Sequence, residues 1–221
     1  MTDKISFVLD GKTVSTQSDE TIWDVAKREG TIIPHLCHSG EIGYRSDGNC
    51  RACMVEIEGE RVLAASCVRK PTEGMVVKVS GDRPEKARAT VLELLIGDQP
   101  AIENAHDKSS HLWKTAKAQG IETSRFPKID SAHIPLLDDS HVAMNVNLDA
   151  CIQCNLCVRA CREVQVNDVI GMAGRGRTAK IVFDQDDPMG ASSCVACGEC
   201  VQACPTGALM AATSIDSKQI G

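Results

Sequence analysis

The sequence predicts an α+β protein in two cysteine-bearing parts, on three observations. Residues 4–17 alternate in polarity around an Asp-Gly pair, the signature of a β-hairpin. Runs of helical period follow at 22–30 and 82–96. From residue 146 a cysteine pattern occurs twice: Cys151-Ile152-Gln153-Cys154-Asn155-Leu156-Cys157-Val158-Arg159-Ala160-Cys161 is echoed by Cys194-Val195-Ala196-Cys197-Gly198-Glu199-Cys200-Val201-Gln202-Ala203-Cys204. These signals divide the chain into a first domain (1–80), a helix and irregular connector (81–145), a second domain (146–212), and residues 213–221, a tail or the start of a continuing chain.

In the first domain Ile5, Phe7 and Leu9 share one strand face, Asp10-Gly11 makes the turn, and Lys12 to Ser15 return. A helix follows, with Ser18 or Asp19 as candidate cap, Ile22, Val25 and Ala26 on one face, and Gly30 as its end. A long loop carries Cys37, Cys50 and Cys53 before strand-like runs at 54–58, 61–65 and 75–79, which together predict a small mixed sheet packed on one helix. Residues 82–96 form the next helix, with Asp82 and Glu85 in capping-box-like positions and Val91, Leu92, Leu94 and Leu95 as its apolar side. Residues 98–145 hold one weak helical run, His111 to Lys117, and no cysteine.

Composition narrows the function. The net charge of −6 lacks the basic excess that neutralises a phosphate backbone, which argues against a nucleic-acid partner. No basic segment with a long apolar run behind it opens the chain, and no apolar stretch approaches the ~20 residues of a membrane span, so a soluble, cytoplasmic protein is expected. In a reducing cytoplasm, twelve cysteines at clustered spacings are metal ligands rather than disulfides.

The two C-x2-C-x2-C-x3-C runs suit [4Fe-4S] clusters, because a cubane offers four iron corners, each needing one thiolate. In two-cluster ferredoxins the fourth cysteine of each run ligates the other cluster, which makes the sets Cys151, Cys154, Cys157, Cys204 and Cys194, Cys197, Cys200, Cys161. Pro205 matches the usual ending of the run; Arg162, after Cys161, departs from it. The alternative is structural zinc, which normally takes paired C-x2-C units around one ion. Cys37-x12-Cys50-x2-Cys53-x13-Cys67 has the layout of a plant-type [2Fe-2S] site, three ligands in one loop and a distant fourth, although the intervals differ. Gly40, Gly43, Gly48 and Asn49 would let that loop turn its N–H groups toward cluster sulfurs. His35 and His38 flank Cys37, but four cysteines are already available, so supporting or surface roles are expected for them; His106 and His111 stay unassigned. The segment from Gly171 to Gly176 does not match G-x-G-x-x-G and is expected to be a hairpin between the cysteine runs. No nucleophile–base set or acid pair is evident, so no catalytic residue is expected in this chain.

A domain of the first kind followed by one of the second resembles the N-terminal part of the electron-input subunit of respiratory complex I. It also resembles the small diaphorase subunit of NAD-reducing hydrogenases and the N-terminal region of the alpha subunit of cytosolic NAD-dependent formate dehydrogenases. The likeness is strongest to the last group, through Pro34-His35-Leu36-Cys37-His38, residues 146–154 and residues 187–200. The resemblance implies a ubiquitin-like (β-grasp) [2Fe-2S] domain, a helical connector and a bacterial-type two-[4Fe-4S] ferredoxin domain. It also implies a hetero-oligomer with a flavin (FMN) and NAD-binding subunit and a molybdenum or tungsten pterin centre on other domains or chains. In complex I and diaphorase relatives a further cluster, held by one His and three Cys, usually lies between the two domains, where this chain has no cysteine. The formate dehydrogenase alpha chain continues past the position of Gly221, so a fragment and a separate subunit both stay open.

Overall fold

The computed structural model describes residues 4–17, 19–127 and 137–214. Two strands open it, β1 (Ile5–Leu9) and β2 (Lys12–Thr16), an antiparallel hairpin whose Asp10 and Gly11 both take the positive φ that the tight turn requires. Helix α1 (Ile22–Arg28) is capped later than either expected residue, because Glu20 folds back to accept the Gln17 N–H (2.9 Å) and the Thr16 hydroxyl (3.2 Å) before the helix starts. The cap is therefore Thr21, in a reciprocal capping box with Asp24, while Asp19 is exposed and Ser18 lies outside the described residues. Gly30 ends the helix at positive φ, as expected.

The remaining strands of this sheet are β3 (Met54–Ile57), β4 (Ala64–Ala65) and β5 (Val76–Lys78), in the order β2-β1-β5-β3-β4. β1 and β5 run parallel and the other pairs antiparallel. The run expected at 61–65 shortens to two residues because the chain turns at Gly59, in positive φ, and rejoins β3 only where Ala64 and Ala65 oppose Val55 and Met54. One face of this mixed sheet and α1 bury Phe7, Leu9, Val14, Ile22, Val25, Val55 and Val77, together with Cys53 and Cys67.

Helix α2 (Asp82–Gly97) is capped by Gly81, whose N–H donates to the Glu85 carboxylate (3.0 Å); Asp82 is already inside the first turn. Its buried stripe is Pro84, Arg88, Leu92 and Ile96, at a spacing of four, and Leu94 points outward. Arg88 belongs to that stripe because its guanidinium donates to the carbonyls of Met54 (3.0 Å) and Val79 (2.9 Å), tying α2 to the sheet. The weak run at His111 becomes α3 (His111–Ala118), and the Leu112 N–H donates to the Pro205 carbonyl (2.9 Å), just past the second cysteine run. The connector is thus packed on both parts. His106 meets Asp149 (2.8 Å) and the Gln99 side chain donates to the Ala150 carbonyl (3.2 Å).

In the second part β6 (Met144–Val146) pairs antiparallel with β9 (Leu209–Ala211), closing its ends together, and β7 (Ile170–Ala173) with β8 (Lys180–Phe183) forms the hairpin expected between the cysteine runs. Gly174 sits at positive φ in that hairpin, where a Cβ would fall 2.3 Å from the Thr178 carbonyl oxygen. The cysteine runs continue into α4 (Leu156–Arg159), prolonged by a π-turn at Ala160–Val164, and α5 (Glu199–Ala203), which pack on each other.

Candidate metal centres

Cys37, Cys50, Cys53 and Cys67 are all buried and gather at one end of the first sheet. Strand pairing places two of them: the Cys53 carbonyl, just before β3, accepts from the Ser66 N–H (3.2 Å) and hydroxyl (2.8 Å), one residue before Cys67. The other two come from the loop, whose entry is held by the Trp23 indole N–H donating to the Ile33 carbonyl (3.1 Å). Cys37 and Cys50 then exchange contacts, each backbone N–H donating to the other's sulfur at 3.4 and 3.3 Å. Hydrogen bonds from Cys50 and Cys67 draw the ionisation of Cys37 well below the usual thiol range, while those two donors are pushed up. The hydrogen bond from Cys67 likewise lowers Cys53. Cys37 and Cys53 are thus favoured as thiolates by their neighbours, while Cys50 and Cys67 must give up their protons when a metal binds.

Two small cavities lie in the second part. One is lined by Cys151, Cys154, Cys157 and Cys204, the other by Cys161, Cys194, Cys197 and Cys200. The repeat has a backbone counterpart: Gln153 and Ala196, two residues past the first cysteine of each run, take positive φ and donate N–H to Cys151 and Cys194 sulfurs, both at 3.4 Å. Asn155 and Gly198, each directly after the second cysteine, also take positive φ. Left-handed conformations cost of order 1–2 kcal/mol at a non-glycine residue and are kept where the surroundings require them; here they curl successive N–H groups inward as a nest for anionic sulfur. Further donors are the Val169 N–H to Cys161 (3.3 Å) and the Asn167 amide to Cys197 (3.9 Å). Burial pushes the Cys151 thiol up to about 11 and the Cys200 thiol up to about 12, and raises Cys154 and Cys157 further, so metal loading must drive protons off them. Four sulfurs rimming an apolar space, with N–H donors aimed at them, fit an iron–sulfur cluster.

Cys37 and Cys50 share one buried cluster with Cys154, Leu36, Leu92, Leu112 and Leu156, and the Asn49 side-chain amide donates to the Cys154 carbonyl at 3.5 Å. The Cys151 quartet therefore adjoins the Cys37 quartet, and the first-domain loop also reaches the core of Cys161 and Cys200 through Tyr44, while Cys197 is exposed. His35 and His38 stand beside the first quartet without replacing a thiol: their rings pack on Trp23 at 4.7 and 4.3 Å, and His38 Nδ1 meets the Ser46 hydroxyl at 2.5 Å. His111 reaches the His35 carbonyl (2.7 Å), and His106 stays with Asp149. Gly43 and Gly48 do take positive φ, as a turning loop requires, while Gly40 does not.

Sequence reasoning missed the residues that join the two parts. Tyr44 donates to Glu199 (2.8 Å), Arg45 to Glu163 (2.8 Å), and Arg159 to both Asp47 and the Cys37 carbonyl (2.7 Å). Pairing over more than a hundred residues leaves no local pattern; the one signal was Arg159 itself, a charge inside a cysteine run where the second copy has neutral Gln202. Among the described residues no helix is long and apolar enough to cross a membrane.

Residues 2–81 match the family of 2Fe-2S iron-sulfur cluster binding domains, and residues 150–208 match the 4Fe-4S dicluster domain. The chain is 35% identical, over 93% of its length, to the HndD component of the NADP-reducing hydrogenase of Solidesulfovibrio fructosivorans, and covers 36% of that protein. It is 33% identical, over 93% of its length, to a component of an NADH-quinone oxidoreductase of Rhizobium meliloti, covering 24% of it. The chain thus spans a quarter to about a third of these relatives. A chain in the crystal structure of an NAD+-reducing [NiFe]-hydrogenase in the H2-reduced state superimposes with a TM-score of 0.86 at 26% identity, over 96% of this chain and 89% of that one.

Proposed function

We propose that this chain, an α+β protein joining a 2Fe-2S iron-sulfur cluster binding domain to a 4Fe-4S dicluster domain, is the electron relay of an NAD(P)-linked oxidoreductase assembly. The observation that carries this is the set of three cysteine quartets in adjoining cores, Cys37 and Cys50 packed with Cys154, Cys157 packed with Cys161 and Cys200, and Cys197 exposed at the surface. Cys37, Cys50, Cys53 and Cys67 hold a [2Fe-2S] cluster; Cys151, Cys154, Cys157 and Cys204 hold one [4Fe-4S] cluster, and Cys161, Cys194, Cys197 and Cys200 the other. When bound, such clusters take up and release single electrons. The chain's own part is to gather the sulfurs in poorly solvated sites, to aim N–H groups at them, and to fix the spacing between the quartets across the Tyr44–Asn49 seam. Substrate chemistry belongs to partner domains or subunits, a flavin/NAD module among them.

The donor is formate on the reading carried by residues 34–38, 146–154 and 187–200, with a molybdenum or tungsten pterin centre on another domain or chain. Hydrogen is the second reading, favoured by the similarity to two hydrogenases. The native assembly, recovered anaerobically through this chain and given NAD with formate or with hydrogen, separates them. Formate-dependent NADH production supports the first reading, hydrogen-dependent production the second, and reduction by neither removes both.

A further inference from the structure

Among the described residues, the most deeply buried charge is at the junction of the two parts. Arg159 is 1% exposed and lies on α4 between Cys157 and Cys161, which belong to different quartets. Its guanidinium crosses to the first domain, donating to the carbonyl of Cys37 (2.7 Å) and to Asp47, while its Nε–H has no partner. One side chain therefore touches the third quartet from a helix that carries members of the other two.

Burying a guanidinium is expensive, and well-packed apolar residues in place of a buried ion pair are often as stable or more so, so stability does not explain it. Asp47 also receives Arg45 (2.8 Å), which in turn pairs with Glu163 (2.8 Å), so the network is balanced overall, but Arg159 is its buried member and the one that reaches the Cys37 carbonyl, while Arg45 is exposed. The internal repeat supplies a control. Gln202 occupies the same place in the second run, and it is neutral and exposed, although its helix also meets the first domain through Glu199 and Ala203. Of the two equivalent positions, the one that is both charged and buried is the one whose side chain reaches the Cys37 carbonyl.

We propose that Arg159 is a positioning residue with an electrostatic role: it clamps the Cys37 loop against the Cys151 quartet, and its fixed charge raises the reduction potential of the [2Fe-2S] cluster. A permanent cation in a poorly solvated site favours the state carrying one more electron. The inference rests on the assignment of the Cys37 quartet to that cluster.

The test is an EPR-monitored redox titration of the intact assembly carrying Arg159→Gln, Arg159→Lys or Asp47→Asn, with iron content measured on each. Arg159→Gln is expected to weaken electron uptake at the [2Fe-2S] cluster at least tenfold, a 59 mV fall for a one-electron couple, with full iron retained. Arg159→Lys is expected to keep most of the potential. Asp47→Asn, which removes the counter-charge, is expected to shift it the opposite way. If Arg159→Gln does not assemble, the opposite displacement in Asp47→Asn carries the test. Iron-replete variants with unmoved potentials, or Arg159→Gln and Asp47→Asn moving in the same direction, would overturn the role. Absence of any [2Fe-2S] signal from the parent assembly would instead sink the ligand assignment beneath it.

Discussion

Each second-part cysteine lines one of two cavities, so on the proposed assignment single substitutions are expected to separate the quartets. Cys200 lines the second cavity with Cys161, Cys194 and Cys197, so Cys200→Ala is expected to remove one [4Fe-4S] signal and leave the [2Fe-2S] signal intact. Low-temperature EPR with iron analysis reads this, and an unchanged spectrum would refute the assignment. The spacing of all twelve cysteines was legible because a cluster loop must present thiolates at short, fixed intervals. The roles of the histidines were not. His35 is lowered to about 4, chiefly by burial and then by the nearby His111. Its unfolded value is near 6.5, so it contributes fully to stability above pH 6.5, and that contribution is lost as pH falls through 4. A loss on the order of 1–2 kcal/mol is expected, discounted for partial solvent access. Anaerobic denaturant midpoints of the loaded protein between pH 7 and 4 should fall less in His35→Gln than in the parent; parallel curves would contradict this.

At the scale of elements, the sequence revealed where helices and strands are more readily than where they start and which face they bury. The hairpin at 5–16 and the helices at 22 and 82 were legible because period-2 and period-3.6 patterns report burial directly. The α1 start was not, since Ser18, Asp19 and Thr21 are all competent caps and only the fold-back of Glu20 selects Thr21. The α2 face was legible at Leu92 and Leu95 but not at Arg88, which, polar by type, is buried on two backbone carbonyls, and Leu94, wrongly included in it, lies outside. The buried stripe predicts that Leu92→Ala costs about 2–5 kcal/mol and Leu94→Ala little. Equilibrium unfolding of the two variants checks this, and equal losses would show that the face is wrongly drawn.

Over the whole molecule, the two parts and the connector form one packed unit. Leu36, Leu92, Leu112 and Leu156 come from the cysteine loop, α2, α3 and α4, and converge on Cys37, Cys50 and Cys154. The sequence suggested an irregular connector between two cysteine domains because its contacts, such as Leu112 to Pro205 and Gln99 to Ala150, are long-range and individually patternless. What the connector achieves is visible only in the assembled fold: its Leu92 and Leu112 complete the apolar core shared by Cys37, Cys50 and Cys154, a poorly solvated setting that strengthens charge effects there. The seam of Tyr44, Arg45, Asp47 and Asn49 then fixes the separation of the quartets.

The central claim is that three quartets of sulfur hold one two-iron and two four-iron clusters. The most direct measurement is iron and acid-labile sulfide per chain on anaerobically purified protein, combined with EPR across a reductive titration. A brown protein with about ten irons per chain, one [2Fe-2S] signal and two [4Fe-4S] signals is predicted. A colourless protein carrying zinc, or iron that yields only one cluster type, would contradict the account.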